Sequence, residues 1–386
     1  MPDFFSPSRL IPDWVPWEDT LASCGLPIYL YGTGDGADKV LRRMQASGYR
    51  LPVEGVFVSD AFSRGKTFGG LPVLSRSEME ARVPRAAVVL CFGLHGQEAF
   101  AVLDDLAEKH LVLAPSTSVY GGTCMGKADY LAKADQLDRV DGWLSDDLSR
   151  ELFRRVLRWK ITGEYRWLAG SGSDAEKPAA YTAHAKIYID VGAYDGDTVA
   201  AYLAENPNVD RILAFEPDES SFRKLKSRSD PGRVDCFQCV CSDRDGSAAF
   251  SGRHGRGSSA SAGRAGGKPV PAWKLDTVCG HRILGREGKK IGSVKIDAEG
   301  MERETLCGAA NLITNCRPVL SVAAYHREED LFELPQQMKR LVYDSDLYFR
   351  KQLCVPAWDT EFILVPHRKE PTINKSSVFS KNQVIF

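Results

Sequence analysis

Carboxylates crowd a glycine turn in the second half of the sequence. The segment "YIDVGAYDGDTV" (residues 188–199) has the pattern of an apolar strand that ends at Asp190, a glycine turn and the start of a helix. Backbone N–H groups at the start of a helix ordinarily attract anions. Here Asp190, Asp195 and Asp197 would repel a phosphate. The turn therefore predicts a ligand that carries positive charge and no phosphate.

S-adenosylmethionine (SAM) has that character, and we expect Asp190 to hold its ammonium group. Glu216 ends the next apolar strand, in "AFEPD", where a carboxylate can accept hydrogen bonds from both ribose hydroxyls. Ser242 and Asp243 follow a third strand and are expected to face the adenine. The order of these motifs along the chain is a more specific sign of SAM binding than any single motif. The predicted SAM-binding residues are Asp190, Gly192, Ala193, Tyr194, Gly196, Asp197, Thr198, Glu216, Pro217, Ser242, Asp243 and Asp297.

A third group of acids follows the apolar residues of "SVKIDAEGMERETL" (residues 293–306). SAM ordinarily donates its methyl group, and an acceptor that is an alcohol would need alignment of its hydroxyl and removal of the proton. We expect Asp297 to line the SAM methyl group and Glu299 to act as the base or to orient the acceptor. His326, which ends the strand "PVLSVAAY", is the alternative base because its ordinary pKa of ~6.5 is near working pH. A structural role for His326 is an equal alternative.

Other polar residues give expectations about the acceptor. Tyr325 is expected to form a pocket wall or donate a hydrogen bond. Arg350 is a candidate for binding an anionic acceptor, such as a phosphorylated or nucleotide-linked sugar. Arg253, His254 and Arg256 are further candidates for binding an anionic acceptor. The alternative is that they lie in a solvated loop. Glu302 and Glu304 are expected on a helix surface. We find no metal-ligand spacing, which predicts a metal-independent protein.

The elements around these motifs alternate between strands and helices, so the sequence predicts two Rossmann-like α/β halves. The first half carries "YGTGDGADK", where Asp35 and Asp38 again oppose a phosphate. Asp60 ends the next strand and could meet a ribose. Two interpretations of this glycine turn remain. It binds a nucleotide or sugar-nucleotide, or it is a tight turn in a docking domain.

Composition changes along the chain predict four segments. A helix is expected in "LSDDLSRELFRRVLRWKITG", capped by Ser145 and ending near Gly163, before a Gly/Ser-rich linker (169–180). A second Gly/Ser-rich loop is expected at 251–269. The predicted division is 1–125 (N-terminal Rossmann-like domain), 126–180 (helical connector and linker), 181–370 (SAM-dependent methyltransferase domain) and 371–386 (polar tail).

The bulk composition narrows the class of protein. A net charge of −1 in 386 residues gives no electrostatic basis for wholesale nucleic-acid binding. The sequence shows neither a signal-peptide pattern nor an apolar run of bilayer length, so a cytoplasmic protein is expected. Cys236, Cys239 and Cys241 read as one strand, and buried free thiols are favoured over a metal or redox site.

Several segments resemble the FkbM family of SAM-dependent methyltransferases. They are "YIDVGAYDGDTV", "AFEPDESSFRKL", "CVCSDRDGSAAF", "GRGSSAS", "WKLDTV", "VKIDAEGMERETLCGA" and "RPVLSVAAYHREEDLFELP". The segments "IYLYGTGDGADKVLRRMQASG", "GKTFGGLPVL" and "SDDLSRELFRRVLRWKITGEY" resemble the N-terminal region and connector of a longer subgroup. The chain departs from the family at Tyr194, where many members carry Asn, and at Lys351, where the subgroup often carries His.

The resemblance implies an α/β fold with a C-terminal doubly wound class I SAM-dependent methyltransferase domain, preceded by a smaller Rossmann-like domain and a helical connector. It implies O-methylation of a hydroxyl on a small-molecule acceptor, such as a carbohydrate, nucleotide-sugar or polyketide-like molecule. A glycan or sugar derivative is the expected partner, and a homo-oligomer stays open. The alternatives are an N-methyltransferase acting on an amino sugar and a non-catalytic scaffold that binds SAM or a nucleotide.

Overall fold

The computed structural model describes residues 6–62, 67–117, 119, 124–169, 178, 185–251, 259–261, 268–282 and 291–367. Arg253, His254 and Arg256, most of the predicted linker and the predicted tail lie outside the described residues.

The first part of the chain builds a six-stranded sheet in the order β3-β4-β2-β1-β5-β7. All pairs are parallel except β3 with β4. The elements of this part of the chain are α1 (Pro7–Leu10), α2 (Trp17–Ser23), β1 (Ile28–Tyr31), α3 (Asp35–Ala46), β2 (Val53–Val58), β3 (Thr67–Phe68), β4 (Leu71–Ser75), α4 (Arg76–Arg82), β5 (Ala87–Leu90), β6 (Leu94–His95), α5 (Gly96–Ala107) and β7 (Leu111–Leu113), with 3-10 turns at Ile11–Asp13 and Asp60–Phe62. Strand β6 lies outside the six-stranded sheet.

Three helices follow, α6 (Lys127–Ala132), α7 (Ala134–Trp143) and α8 (Asp147–Thr162), and then a 3-10 turn at Tyr165–Leu168. The predicted cap of α8 is wrong by one residue, because Asp146 accepts the hydrogen bond from Ser149 N at 2.7 Å. Ser145 instead accepts a hydrogen bond from Leu347 N at 3.0 Å. The helix ends as predicted at Gly163, whose left-handed φ of 66° suits a residue without a side chain.

The rest of the chain builds a seven-stranded sheet in the order β10-β9-β8-β15-β16-β19-β17, in which β19 pairs antiparallel with both of its neighbours. Its elements are β8 (Ile187–Val191), α9 (Asp197–Glu205), β9 (Arg211–Phe215), α10 (Glu219–Arg228), β10 (Val234–Phe237), β11 (Val240–Cys241), β12 (Gly246–Ser251), β13 (Ser259–Ser261), β14 (Lys268–Trp273), α11 (Leu275–Arg282), β15 (Ile291–Ile296), α12 (Glu302–Gly308), α13 (Ala310–Cys316), β16 (Val319–Ala323), α14 (Asp330–Leu341), β17 (Ser345–Lys351), β18 (Cys354–Val355) and β19 (Thr360–Pro366). A separate sheet has the order β11-β14-β12-β13.

Strand β8 lies between β9 and β15, so the strand order reverses beside it. In parallel sheets such a switch point opens a crevice at the carboxyl ends of the strands. Alternate residues of β8 are buried in different cores, with Ile187 and Ile189 on one face and Tyr188 on the other. Packing on both faces confirms the predicted doubly wound α/β fold. The division at residues 125, 180 and 370 stays a prediction.

The predicted single strand through the three cysteines is wrong. Val234–Phe237 pairs with β9, whereas Val240–Cys241 pairs with β14 in the four-stranded sheet. The chain therefore leaves one sheet for another between these strands. Cys239 and Cys241 are nevertheless buried on one side, and Cys236 packs in a different core.

A buried ionic cluster joins the two larger sheets through α8. The Glu328 carboxylate accepts hydrogen bonds from Ser116 Oγ at 2.8 Å, from Tyr130 OH at 2.5 Å and from Lys160 Nζ at 2.9 Å. Burial alone would raise the pKa of Glu328, but Lys160, Tyr130 and Arg43 together outweigh burial and lower it. Arg43 of α3 reaches the same cluster by donating to Ser116 O at 2.8 Å.

Across the described ranges, no helix combines the length and the apolar character that a bilayer span requires.

Replacement of Lys160 with Met should leave the Glu328 carboxylate buried without its ionic partner. We expect the free energy of unfolding to fall by about 3–5 kcal/mol, measured by urea denaturation. Lys186→Met is the matched control, because that side chain is 61% exposed and its ion pair with Asp210 spans 3.6 Å. The control should change stability by less than about 0.5 kcal/mol. Similar losses in both variants would contradict this account of the cluster.

Candidate active site

The site begins where the turns after β8 and β15 touch. Gly192 has a φ of 77°, and a Cβ on it would lie 1.8 Å from the carbonyl oxygen of Asp297. Asp297 N donates to Val191 O at 2.9 Å, and Gly192 N donates to Phe215 O at 2.9 Å. Only glycine allows this approach of two backbones. The contact brings the ends of three parallel strands to one edge of the sheet.

A cavity of about 380 Å³ opens over this edge, within the usual range of small-molecule sites (about 300–1,000 Å³). Nine of the predicted residues line it: Gly192, Tyr194, Asp197, Thr198, Glu216, Pro217, Asp297, Glu299 and Tyr325. The described lining includes seven carboxylates and one lysine, Lys295. The carboxylates are Asp197, Glu216, Asp218, Asp297, Glu299, Asp359 and Glu361. This excess of negative charge fits a cationic ligand such as the predicted sulfonium cofactor.

Glu216 has the best-defined surroundings of the predicted cofactor residues in the cavity. Its carboxylate accepts hydrogen bonds from Tyr194 N at 2.9 Å and from Asp218 N at 2.7 Å, which fixes its orientation at the end of β9. Burial raises the pKa of Glu216 to about 7, and the charges of Asp218 and Glu299 add to the shift. Hydroxyl donors from a ribose would stabilise the ionised form, so this position fits the predicted nucleoside.

Asp190 lies behind the cavity and does not line it. Its fully buried carboxylate accepts a hydrogen bond from Thr198 Oγ1 at 2.5 Å and lies 3.4 Å from Lys295 Nζ. Asp190 therefore holds two lining residues in place. The direct contact of Asp190 with an ammonium group stays a prediction.

Ala193 and Gly196 shape the turn and do not line the cavity. Ala193 is fully buried, and its N–H donates to Phe215 O at 3.0 Å. Gly196 has a φ of 91° and precedes α9.

Ser242 and Asp243 also lie outside the lining, contrary to the expectation that they face the adenine. Ser242 N donates to Trp273 O at 3.0 Å, and Ser242 Oγ contacts Asp243 Oδ1 at 3.1 Å. The chain has already turned into the four-stranded sheet at this point. Val240 and Cys241, just before them, line the cavity instead.

His326 sits fully buried beneath the acids of the β15 turn. Its Nδ1 lies 3.0 Å from Glu302 Oε1, and its Nε2 lies 3.4 Å from Glu299 Oε2 and 3.7 Å from Asp297 Oδ1. Burial alone would lower the pKa of His326. Glu302, Glu299 and Asp297 outweigh burial and raise the pKa well above its ordinary value. These carboxylates therefore favour the protonated, positively charged form of His326.

The prediction that Glu302 lies on the helix surface is wrong, since the residue is 1% exposed. Its Oε1 atom accepts hydrogen bonds from Ala298 N at 2.8 Å and Gly300 N at 3.2 Å. Glu302 therefore fixes the turn that presents Glu299, whose φ of 50° is unusual for a residue with a side chain. Glu304 is partly buried.

Asp297, Glu302 and His326 place ligand-type atoms within 4.8 Å of one another. Glu302 Oε1 is already engaged by two backbone N–H groups, and His326 Nδ1 faces that same oxygen. We therefore interpret the group as a charge network that shapes the turn, in place of a metal centre.

Arg350 does not reach the cavity, which corrects its assignment to the acceptor. It is buried against α8, where its NH2 donates to Asp146 Oδ2 at 2.7 Å and its NH1 donates to Ser149 Oγ at 2.7 Å. Residues 350 and 351 point towards the connector because β17 is an edge strand packed beside α8. Lys351 likewise donates to Leu168 O at 2.8 Å.

Sequence reasoning missed several polar groups of the cavity, among them Lys295 and the pair of Ser321 and Glu361. Lys295 lies between Asp190 and Asp297, and the register of β8 and β15 places it opposite Asp190. A lysine inside an otherwise apolar strand was the available signal. The hydrogen-bonded pair of Ser321 and Glu361 joins β16 to β19, and its two members are 40 residues apart in sequence. No local pattern could have joined them.

The glycine turn of the N-terminal sheet is closely packed. A Cβ on Gly36 would lie 1.9 Å from Cys91 O, and one on Gly32 would lie 2.5 Å from the Phe92 ring. Asp60 accepts hydrogen bonds from Ser77 N at 3.0 Å and Ser77 Oγ at 2.7 Å, so its carboxylate is used in tying the end of β2 to α4. These contacts favour the tight-turn interpretation over a ribose contact.

Replacement of Gly192 with Ala should force the turns after β8 and β15 apart. We expect a loss of about 2–3 kcal/mol in the free energy of unfolding, since the added methyl group meets backbone and the φ is positive. Chemical denaturation would measure it. Gly142→Ala is the control, because a Cβ there meets nothing within 4 Å and the residue lies in α7. That variant should be neutral or slightly more stable, and an unchanged Gly192→Ala protein would refute the proposed contact.

Comparison with known proteins agrees with this geometry. Residues 190–345 match the model of the methyltransferase FkbM domain. The structure is similar to the crystal structure of methyltransferase FkbM from Methylobacillus flagellatus KT, with a TM-score of 0.64 and 17% identity, covering 92% of this chain and 96% of that chain.

Two other solved structures overlap a smaller part of the chain. A putative O-methyltransferase from Klebsiella pneumoniae has a TM-score of 0.29 and 11% identity. The O-methyltransferase TomG from Streptomyces achromogenes has a TM-score of 0.30 and 13% identity. Each match covers 58% of this chain and 91% of the other. No curated protein matches the chain. The predicted resemblance is confirmed by the domain match: residues 190–345 form a methyltransferase FkbM domain, and the chain is a SAM-dependent methyltransferase.

Proposed function

We propose that this enzyme transfers a methyl group to a hydroxyl of a small polyhydroxylated acceptor, such as a sugar derivative or a polyketide-like molecule. The observation that carries the proposal is the placement of two carboxylates, Asp297 and Glu299, in the same cavity as the predicted ribose contact Glu216. An alcohol needs a base as it becomes a nucleophile, and a carboxylate at the reacting edge supplies one.

When bound, SAM supplies the methyl group: the oxygen–carbon bond forms as the carbon–sulfur bond breaks, and the electron pair stays on sulfur as an uncharged thioether. The residues of this chain align the hydroxyl with that methyl group and receive its proton.

We assign the proton to Glu299. Its side chain is 30% exposed and lines the cavity, and its backbone is held in an uncommon conformation by the Glu302-bonded turn. Uncommon backbone geometry that the surroundings enforce is frequent at reactive positions. Asp297 is more constrained, because Tyr325 OH donates a hydrogen bond to it at 3.2 Å and Lys295 Nζ lies 3.7 Å away as an ion-pair partner. Asp297 therefore suits orientation of the hydroxyl and of the methyl group.

His326 is a poor candidate for the base. It lies outside the cavity lining, and the three carboxylates around it raise its pKa and favour its protonated form, which has no lone pair to offer as a base. Its positive charge compensates the acids of the β15 turn, which supports a positioning role.

Glu299→Gln should lower kcat by about 10²- to 10⁴-fold, because the amide cannot accept the proton. The Kd for SAM should stay within about threefold, measured by calorimetry beside the methyl-transfer assay. Glu205→Gln is the control, since Glu205 is exposed at the end of α9. Unchanged kcat in Glu299→Gln would remove it from the chemistry.

His326→Gln separates the two candidate bases. If His326 is a charge partner, kcat should fall less than in Glu299→Gln, and SAM binding should persist. A larger loss in His326→Gln than in Glu299→Gln, with SAM binding intact, would identify His326 as the base and overturn our assignment.

SAM affinity should depend on pH through Glu216. Its pKa of about 7 means that the free protein holds this proton below pH 7. Ribose hydroxyls donate to the ionised carboxylate, so binding there must displace the proton. The affinity should be constant above about pH 7.5 and fall by up to about tenfold per pH unit below 7, measured by calorimetry.

Glu216→Gln should bind SAM about 10- to 100-fold more weakly at neutral pH, the range expected for hydrogen bonds to a charged group. Its affinity should also lose the pH dependence below 7. Glu205→Gln again serves as the control with wild-type behaviour. Wild-type affinity that does not change with pH would contradict the role of Glu216.

A further inference from the structure

Part of the cavity lining, called the second end below, comes from both parts of the chain and comprises His95, Tyr325, Trp358 and Asp359. Tyr325 follows β16, and Trp358 and Asp359 precede β19. His95 reaches the same end from β6, in the N-terminal part of the chain. Tyr325 OH donates to Asp297 Oδ1 at 3.2 Å, so the second end adjoins the edge predicted for methyl transfer. This second end is therefore the place where an acceptor would meet the methyl group.

Trp358 is held in place by the N-terminal part of the chain. Strand β18 pairs with β6, with Cys354 opposite His95. A Cβ on Gly93 would lie 2.1 Å from the Trp358 ring, so the indole packs directly on the backbone of residue 93. The rings of His95 and Trp358 are 6.2 Å apart at 43°. An indole fixed in this way offers a rigid face for the apolar side of a ring-shaped ligand.

The charges at this end select against anions. The carboxylates of Asp359 and Glu361 line it, and those of Asp297 and Glu299 lie at the adjoining edge of the same cavity. Lys295, the lysine of the described lining, already lies against Asp190 and Asp297. Like charges brought together in a partly buried site cost several kcal/mol, roughly, whereas hydroxyl and ammonium groups can donate to carboxylates.

We propose that the acceptor binds between the two sheets, on Trp358 and beside His95, and that it is a neutral or cationic polyol and carries no phosphate. The inference rests on the proposed function and deepens it, since it gives the N-terminal part of the chain a share in choosing the substrate.

The charge of the methylated product tests the inference without knowledge of the acceptor. The full chain is incubated with [methyl-³H]SAM and a small-molecule extract of the cells that make it. The labelled products are then separated on anion- and cation-exchange resins at neutral pH. We expect the label in the unretained and cation-retained fractions. Label in the anion-retained fraction would overturn the inference and leave methyl transfer intact. No labelled product from a protein that binds SAM would overturn the proposed function, and the inference with it.

Two variants test the place of binding, using serial dilutions of the same extract as the substrate series. Trp358→Ala should raise the amount of extract needed for half-maximal rate by at least about tenfold. His95→Ala, an exposed position that should not affect folding, should raise it about 3- to 10-fold. The Kd for SAM should stay within about twofold in both.

Trp273→Ala is the matched control, because that indole is 39% exposed and does not line the cavity. It should behave as wild type in both measurements. A wild-type dilution curve for His95→Ala would overturn the role of the N-terminal part of the chain. Equal effects of Trp358→Ala and Trp273→Ala would overturn the acceptor site.

Discussion

The active site depends on one backbone contact, in which Gly192 lies against the carbonyl of Asp297. The contact exists because β8 and β15 pair in parallel and end at the same edge, beside the point where the strand order reverses. It sets the distance between the turn that carries the predicted cofactor residues and the turn that carries Asp297 and Glu299. A side chain at residue 192 would push the turn that carries the predicted cofactor residues away from the turn that carries Asp297 and Glu299.

Excess negative charge is the second feature of the site, and few cationic side chains compensate it. Lys295 and His326 are placed among the acids, and the buried Glu302 carboxylate is satisfied by backbone N–H groups. The remaining carboxylates face the cavity, where a sulfonium cofactor and hydroxyl donors can meet them. The same arrangement explains why the pKa of His326 is raised and why we assign the role of base to a carboxylate.

Features that depend on residues close together in the chain were predicted well from the sequence. The strands, the glycine turns and the position of Glu216 follow from alternation and from residues that lie close together in the chain. Prediction from the sequence failed where tertiary packing decides. Glu302 looked like a surface acid because its partners include His326, 24 positions away. Arg350 looked available because nothing local shows that Asp146 and Ser149 engage it. The role of Trp358 depends on Gly93, in the other sheet's part of the chain.

A crystal structure of the protein with S-adenosylhomocysteine would test the central claim most directly. Our account predicts the ribose hydroxyls on the Glu216 carboxylate, with the sulfur atom directed at Asp297 and Glu299 and space left beside Trp358. Density for the ligand at the glycine turn of the N-terminal sheet, or in the main cavity without contact to Glu216, would contradict it.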